Sequence, residues 1–472
     1  MTRAGGKRVL TRGVKDAVLS LVKQSVSPQA RTASRQGTTR RSDTRATSFE
    51  TLASYQQLKK QRAAADVLGV ANPFFRAHEG RAGATTQIGA RTVINFASYD
   101  YLGLNQHPAV GVAATAAIDR YGTSASASRV VAGERPLHRD LERALASLYG
   151  AEDAVAFVSG HATNVATIGE LMGPKDLVLH DALIHNSALV GAQLSGAVRR
   201  SFPHNDLDAL ERLLAGSRDQ HDNALIVVEG LYSMDGDVPD LARLIEIKNH
   251  YGAWLMVDEA HALGTVGASG RGSWEHCGID PRAVDIWMGT LSKTLAACGG
   301  FIAGSTALIE ILKFQASGFV YSVGLSPALA GAALAALQLM HGEQDRVTRL
   351  QANARLFRET ARSRGLNTGF GQGHAVIPVM IGDSLKAAKL SERLLERGFN
   401  VLPIIYPAVP MQSARLRFFI SSEHTEAQIV SAVEMTKDEL DALDREGFSL
   451  ANKAATLMLR HGLTLPAGDG ER

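Results

Sequence analysis

Between residues 108 and 340, short apolar runs alternate with amphipathic stretches, and this alternation limits the fold more than any other feature of the chain. The runs 154–158, 177–179, 224–228, 254–257 and 286–288 each end in glycine or polar clusters. Helical patterns such as 206–215 and 241–250 lie between them. A strand buried on both faces reads as a continuous apolar run, and parallel neighbours need a crossover, usually a helix. The pattern therefore predicts βαβ units and an α/β fold with a mainly parallel sheet covered on both faces. Near Gln351 it gives way to a long charged helix and then to strands at 376–380 and 416–420, an α+β segment. Upstream, 46–60 reads as helix, and a strand at 93–96 leads into the loop Ala97 to Tyr101. The expected divisions are a basic extension (1–50), an N-terminal segment (51–107), a large domain (108–345), a small domain (346–445) and a tail (446–472).

The 472 residues suffice for two or three units, and a 45% hydrophobic, 21% charged composition suits a chain with a large core. A net charge of +3 gives no general case for nucleic-acid binding. Two cysteines, Cys277 and Cys298, supply no disulfide framework and point to a reducing, cytoplasmic setting. The alanine-rich run 327–340 is too short to cross a bilayer and reads as a buried helix. The first 50 residues hold eleven Lys or Arg against three acidic residues, and Val14, Val18, Leu21 and Val22 follow helical spacing. A disordered tail, a helix that docks or lies on a membrane surface, and an organellar transit peptide all fit that composition.

In open α/β sheets ligands bind at the carboxyl ends of the strands, so the polar residues after each run are the candidates. Ser159 to Thr163 is a small turn opening a helix, where free N–H groups can bind phosphate; an ordinary strand-to-helix turn looks the same. His185 follows the second run. His180 nearby invites a metal, but no Cys or Glu partner stands at ligand spacing, and no metal is expected. Asp258 and His261 end a buried run, where a carboxylate needs a cation or a structural ion pair. Lys293 lies among Thr290, Ser292 and Thr294, a setting for a desolvated nucleophilic amine or for a surface lysine. Arg417, in an alternating strand, could fork a carboxylate or form a surface salt bridge. Together a phosphate cradle, a stacking ring, a carboxylate for a ring nitrogen, an amine and a carboxylate-binding arginine match pyridoxal phosphate with an amino-acid substrate.

Residues 72–432 resemble the α-oxoamine synthase family of fold-type I pyridoxal-phosphate enzymes. The resemblance rests on Asn95-Phe-Ala-Ser-Tyr-Asp-Tyr-Leu-Gly-Leu104, Glu229-Gly-Leu-Tyr-Ser-Met-Asp-Gly-Asp237, Val257-Asp-Glu-Ala-His261 and Thr290-Leu-Ser-Lys293. It implies a fold-type I transferase with a seven-stranded sheet in the large domain. It also implies decarboxylative, Claisen-type condensation of a small L-amino acid with an acyl thioester of coenzyme A or an acyl carrier protein.

In that reading Lys293 holds the cofactor as a Schiff base and moves protons at the substrate α-carbon. Asp258 pairs with the ring nitrogen, His185 stacks on the ring, and Ser233 and His261 lie near its phenolic oxygen. Gly160, His161, Thr290 and Ser292 hold the phosphate, and Arg417 takes the substrate carboxylate. A homodimer with shared active sites is implied, as is contact between subunits through 321–327 and 123–129. His161 replaces a more usual aromatic residue, Val323 a more usual threonine, and 122–129 departs from the usual glycine-rich acyl segment. Tyr99 points to the serine palmitoyltransferase-like branch of sphingolipid metabolism, with serine favoured and alanine or glycine open. Other readings are a glycine C-acetyltransferase or an 8-amino-7-oxononanoate synthase, and a non-catalytic regulatory subunit.

Overall fold

The computed structural model describes residues 48–410, 412–449 and 452–453. The basic extension as far as residue 47, with its helical stripe, and the tail from 454 lie outside the described residues. A hairpin comes first, β1 (Thr85–Ile88) and β2 (Arg91–Asn95). The large sheet uses β3 (Asp153–Phe157), β4 (Leu177–Asp181), β5 (Val198–Phe202), β6 (Ala224–Glu229), β7 (Trp254–Asp258), β8 (Ile286–Thr290) and β9 (Gly300–Gly304). Its order is β3-β9-β8-β7-β6-β4-β5, and β9 runs antiparallel to both its neighbours while the other pairings are parallel. This is the fold-type I transferase sheet.

The interior strands β4, β6, β8 and β9 are buried at every residue, and in the first three the apolar sequence demands it. Two apolar clusters cover the two faces, one around Trp287, Val257 and Leu179, the other around Met256, Val227 and Ile302. Helices start where side chains cap them: Ser159 accepts from Ala162 N at 3.3 Å, and Asp206 from Ala209 N at 2.8 Å. The alanine-rich run forms the helix Pro327–Gly342, with eight buried residues.

A second, antiparallel sheet joins β10 (Val376–Gly382), β13 (Ala414–Phe419) and β12 (Leu402–Ile404), while the two-residue β11 (Phe399–Asn400) pairs with β2 instead. Phe419 N donates to Phe96 O at 2.9 Å, so the 97–101 loop is stitched beside β13. That stitching carries Tyr99 and Tyr101 over the carboxyl ends of the large sheet.

Several expectations shift. The helix expected at 46–60 is a short 3-10 turn, Phe49–Thr51, followed by the helix Ala53–Val67, because Leu52 takes extended dihedrals between them. Two strands of the large sheet escape the apolar pattern. β5 (Val-Arg-Arg-Ser-Phe) is a polar edge strand, the charged kind that resists edge-to-edge pairing. β9 is five residues long with glycine at both ends, which reads locally as a turn. Among the described residues no helix is long and apolar enough to cross a membrane.

Candidate active site

The strand ends converge as the parallel topology requires. At one end of the site, the helix Gly160–Leu171 points its N-terminus at β8. A Cβ on Gly160 would stand 2.8 Å from Thr290 Oγ1, and one on Gly300 would stand 2.7 Å from Gly160 Cα, so both positions need glycine for this approach. Thr290 Oγ1 and Ser292 Oγ are 2.7 Å apart. The N–H groups of a helix's first turn beside Ser292 and Thr290 are the kind of donors that suit an anion. His161 follows in the first turn, its exposed ring 6.4 Å from that of His185 and nearly perpendicular to it.

At the other end Asp258 is buried and accepts from Ala260 N at 2.9 Å and Asn164 Nδ2 at 2.8 Å. Asn164 also donates to Ser187 Oγ at 2.9 Å, and Ser187 Oγ lies 2.6 Å from His185 Nδ1. With its oxygen accepting from Asn164, the Ser187 hydroxyl donates a hydrogen bond to His185 Nδ1. Nδ1 is therefore an acceptor and the neutral ring carries its hydrogen on Nε2. Burial holds His185 below its usual pKa, with Asp258 pulling the other way.

Lys293 follows β8. Burial lowers its amine to about 8, against the raising influence of Asp258 and Glu229. Burial and the charge of Asp258 in turn push Glu229 up to about 8. Its Oε1 is buried without a hydrogen-bond partner among the described residues, while Oε2 accepts from Ser233 N at 2.8 Å. Tyr99 sits 5.6 Å from Lys293 Nζ by its ring centroid and packs edge-on against Phe419. Tyr101 OH meets His261 Nδ1 at 2.6 Å. Burial drives the phenol well above and the imidazole well below their usual values, so Tyr101 donates and His261 keeps an Nε2 hydrogen to offer.

Arg417, central in β13, donates from Nη1 to the Ser233 carbonyl at 2.8 Å and lies 4.7 Å over the Phe419 ring. Its Nε is buried with no hydrogen-bond partner among the described residues. Beside Lys293 and Tyr99 a cleft of about 380 Å³ opens, lined also by His78, Asn95, Ser98 and Ser292 among others.

The donor set suits pyridoxal phosphate. The helix end at Gly160 would hold a phosphate, Asp258 a protonated ring nitrogen, Lys293 an aldehyde, and Arg417 Nε a carboxylate. Ser233 enters chiefly through its backbone, which joins Glu229 to Arg417. Asn164, Ser187, Tyr101 and Glu229 have no role in the sequence reading, although Tyr101 and Glu229 stand in the motifs it rests on. Asn164 lies one helical turn beyond Gly160 and Ser187 two residues beyond His185, which is the local signal available for them.

The sequence model of aminotransferase class I and II matches residues 91–435. The chain belongs to that family. It is 43% identical over 360 residues to the 8-amino-7-oxononanoate synthase of Methylobacterium nodulans, covering 76% of this chain and 90% of the relative. Against the 8-amino-7-oxononanoate synthase of Geobacter sulfurreducens the identity is 41%, covering 75% and 90%. The Sphingomonas wittichii serine palmitoyltransferase superposes with a TM-score of 0.79 at 29% identity, covering 83% of this chain and 98% of that one. A serine palmitoyltransferase structure with a pyridoxal-phosphate internal aldimine gives 0.80 at 28% identity, covering 84% and 99%.

Within the aminotransferase class I and II family the chain is an α-oxoamine synthase, a pyridoxal-phosphate-dependent acyltransferase. The cofactor supplies an electron sink for charge at the amino acid's α-carbon. The protein supplies the rest. Asp258 would hold a proton at the ring nitrogen, Lys293, its amine lowered to about 8, would take and return the α-proton, and His261 would offer an N–H. Tyr99 lines the cleft beside the amine and packs against Phe419 behind it.

Proposed function

We propose that the chain joins alanine to an acyl thioester in the manner of an 8-amino-7-oxononanoate synthase. A bond forms between the amino acid's α-carbon and the thioester carbonyl carbon, and the carbon–sulfur bond breaks to release thiol. The original carboxylate leaves as carbon dioxide, and an α-amino ketone remains. The observation that carries this reading is the arrangement of Lys293, Asp258 and Arg417 in a chain 43% identical to an enzyme of that name. The name itself constrains the substrates. In 8-amino-7-oxononanoate an amine-bearing carbon lies between a terminal methyl and a ketone, the skeleton left when alanine loses its carboxylate after coupling to a seven-carbon acyl group. This moves the favoured amino acid from serine to alanine.

A second reading, serine with a longer acyl chain, draws on Tyr99 beside Lys293 and on the higher TM-score to serine palmitoyltransferase, 0.79 against 0.65 for the Francisella tularensis 8-amino-7-oxononanoate synthase. Alanine, serine and glycine crossed with seven- and sixteen-carbon thioesters, each on coenzyme A and on a carrier protein, separate the two by mass spectrometry. An alanine-derived short-chain ketone supports the first reading. A serine-derived long-chain ketone replaces it with the second, and transamination without ketone overturns both.

A homodimer belongs to the same proposal. Val131 and Tyr321 are 81% and 87% exposed and, with Val130 and Val323, line one apolar hollow. A fully active monomer in light scattering at assay concentration would contradict it.

A further inference from the structure

The turn after β5 carries a histidine that none of the roles above uses. Both ring nitrogens of His204 face carboxylates: Nδ1 is 3.0 Å from Asp181 Oδ1, and Nε2 is 2.9 Å from Asp237 Oδ2. An ionised carboxylate only accepts, so both nitrogens carry hydrogen and the ring is an imidazolium. Burial opposes that charge, but the hydrogen bonds to Asp181 and Asp237 outweigh it and push the ring up to about 10. Asn205 repeats the bridge. Its backbone N donates to Asp181 Oδ2 and its Nδ2 to Asp237 Oδ2, each at 2.8 Å. It does so at a φ of 54°, a left-handed conformation that asparagine tolerates.

The two carboxylates belong to different parts of the active site. Asp181 ends β4 and accepts from Leu183 N at 2.8 Å, which starts the turn that presents His185. Asp237 ends the turn that presents Ser233: its carbonyl accepts from Tyr232 N at 2.9 Å, and Gly236 N donates back to Tyr232 O at 2.8 Å. Within that turn Asp235 pairs with Arg415 at 2.6 Å, and the Ser233 carbonyl takes Arg417 Nη1. The His204 ring also packs edge-on against Tyr232 at 4.5 Å. His204 thus stands where the two turns would otherwise present two buried carboxylates to each other.

We propose that His204 is a positioning residue that ties the turn presenting His185 to the turn presenting Ser233, and through Ser233 fixes the Arg417 guanidinium for the amino-acid carboxylate. This rests on the reading of Arg417 as the carboxylate-binding residue, which a separate variant tests.

The experiment uses the cofactor-loaded full chain without thioester. L-alanine and L-serine are titrated while visible absorbance reads binding and visible circular dichroism reads the cofactor's setting. His204→Gln should weaken amino-acid binding by about tenfold or more and change the dichroism, with the cofactor still bound. If that variant does not fold, two others carry the test. His204→Gln combined with Asp237→Asn removes one of the facing charges, and Asn205→Gly removes one bridge while keeping the backbone conformation. A folded variant with a lowered melting temperature but amino-acid affinity within about twofold of wild type overturns the proposal, because a staple for stability alone would behave so. Arg417→Ala distinguishes the premise. If it leaves affinity unchanged, the reading of Arg417 fails; if it weakens binding while the His204 variants do not, the role of His204 fails.

Discussion

Apoprotein mixed with pyridoxal phosphate should capture it at a rate that levels off near pH 8, well below the pH at which a free lysine would. Burial makes the Lys293 ammonium unfavourable, Asp258 and Glu229 restore part of it, and the amine falls from 10.5 to about 8. That fall corresponds to about 3 kcal/mol of preference for the neutral amine. Only the neutral amine attacks an aldehyde. At pH 7 roughly one molecule in ten then carries it, against roughly one in 3,000 for an unperturbed lysine, an advantage of about 300-fold. Stopped-flow absorbance in the visible band measures the rate. Lys293→Arg gives the blank, and a simple alkylamine run in parallel removes the cofactor's own titration. Because Asp258 is the strongest influence raising the amine, Asp258→Asn should move the midpoint lower still. A rate that keeps climbing tenfold per pH step to pH 10 would refute the picture of a desolvated amine.

Three further outcomes follow from particular contacts. Asp258→Asn in the assembled enzyme removes the counter-charge of the ring nitrogen and should lower turnover by about 100-fold or more, the scale of a major electrostatic contribution, with little change in urea denaturation. Near-normal turnover would be inconsistent with that role. Gly160→Ala places a methyl 2.8 Å from Thr290 Oγ1 and should weaken cofactor binding by about tenfold or more in an absorbance titration, whereas unchanged affinity would remove the cradle from this helix end. Glu142 is buried, pairs with Arg129 and accepts from Ala156 N at 2.9 Å. Its replacement by alanine leaves Arg129 short of a partner and should cost about 3–5 kcal/mol in denaturant unfolding, while a loss under about 1 kcal/mol would mean that Glu134 alone suffices.

What the sequence disclosed follows a physical division. β3, β4, β6, β7 and β8 were visible to within two residues because their burial on both faces leaves unbroken apolar runs. The Arg-rich β5 and the glycine-bounded β9 were not, since each owes its strand state to neighbours far along the chain. The candidate site shows the same limit. Lys293 and Asp258 stand out because an amine or carboxylate at the end of a buried run demands a reason. Asn164, Ser187 and Tyr101 are ordinary helix and loop residues until folding brings Asn164 to Asp258 and Tyr101 to His261. The choice of amino acid was least legible. Tyr99 suggested serine, the similarity to 8-amino-7-oxononanoate synthases favours alanine, and one residue at the edge of the cleft does not outweigh 360 aligned positions.

The coupling of three products tests the condensation most directly. With carboxyl-labelled alanine and a seven-carbon acyl thioester, one carbon dioxide and one thiol should appear for each α-amino ketone formed, and Lys293→Ala should abolish all three together. Thiol released without carbon dioxide, or the same three products at full rate from Lys293→Ala, would contradict it.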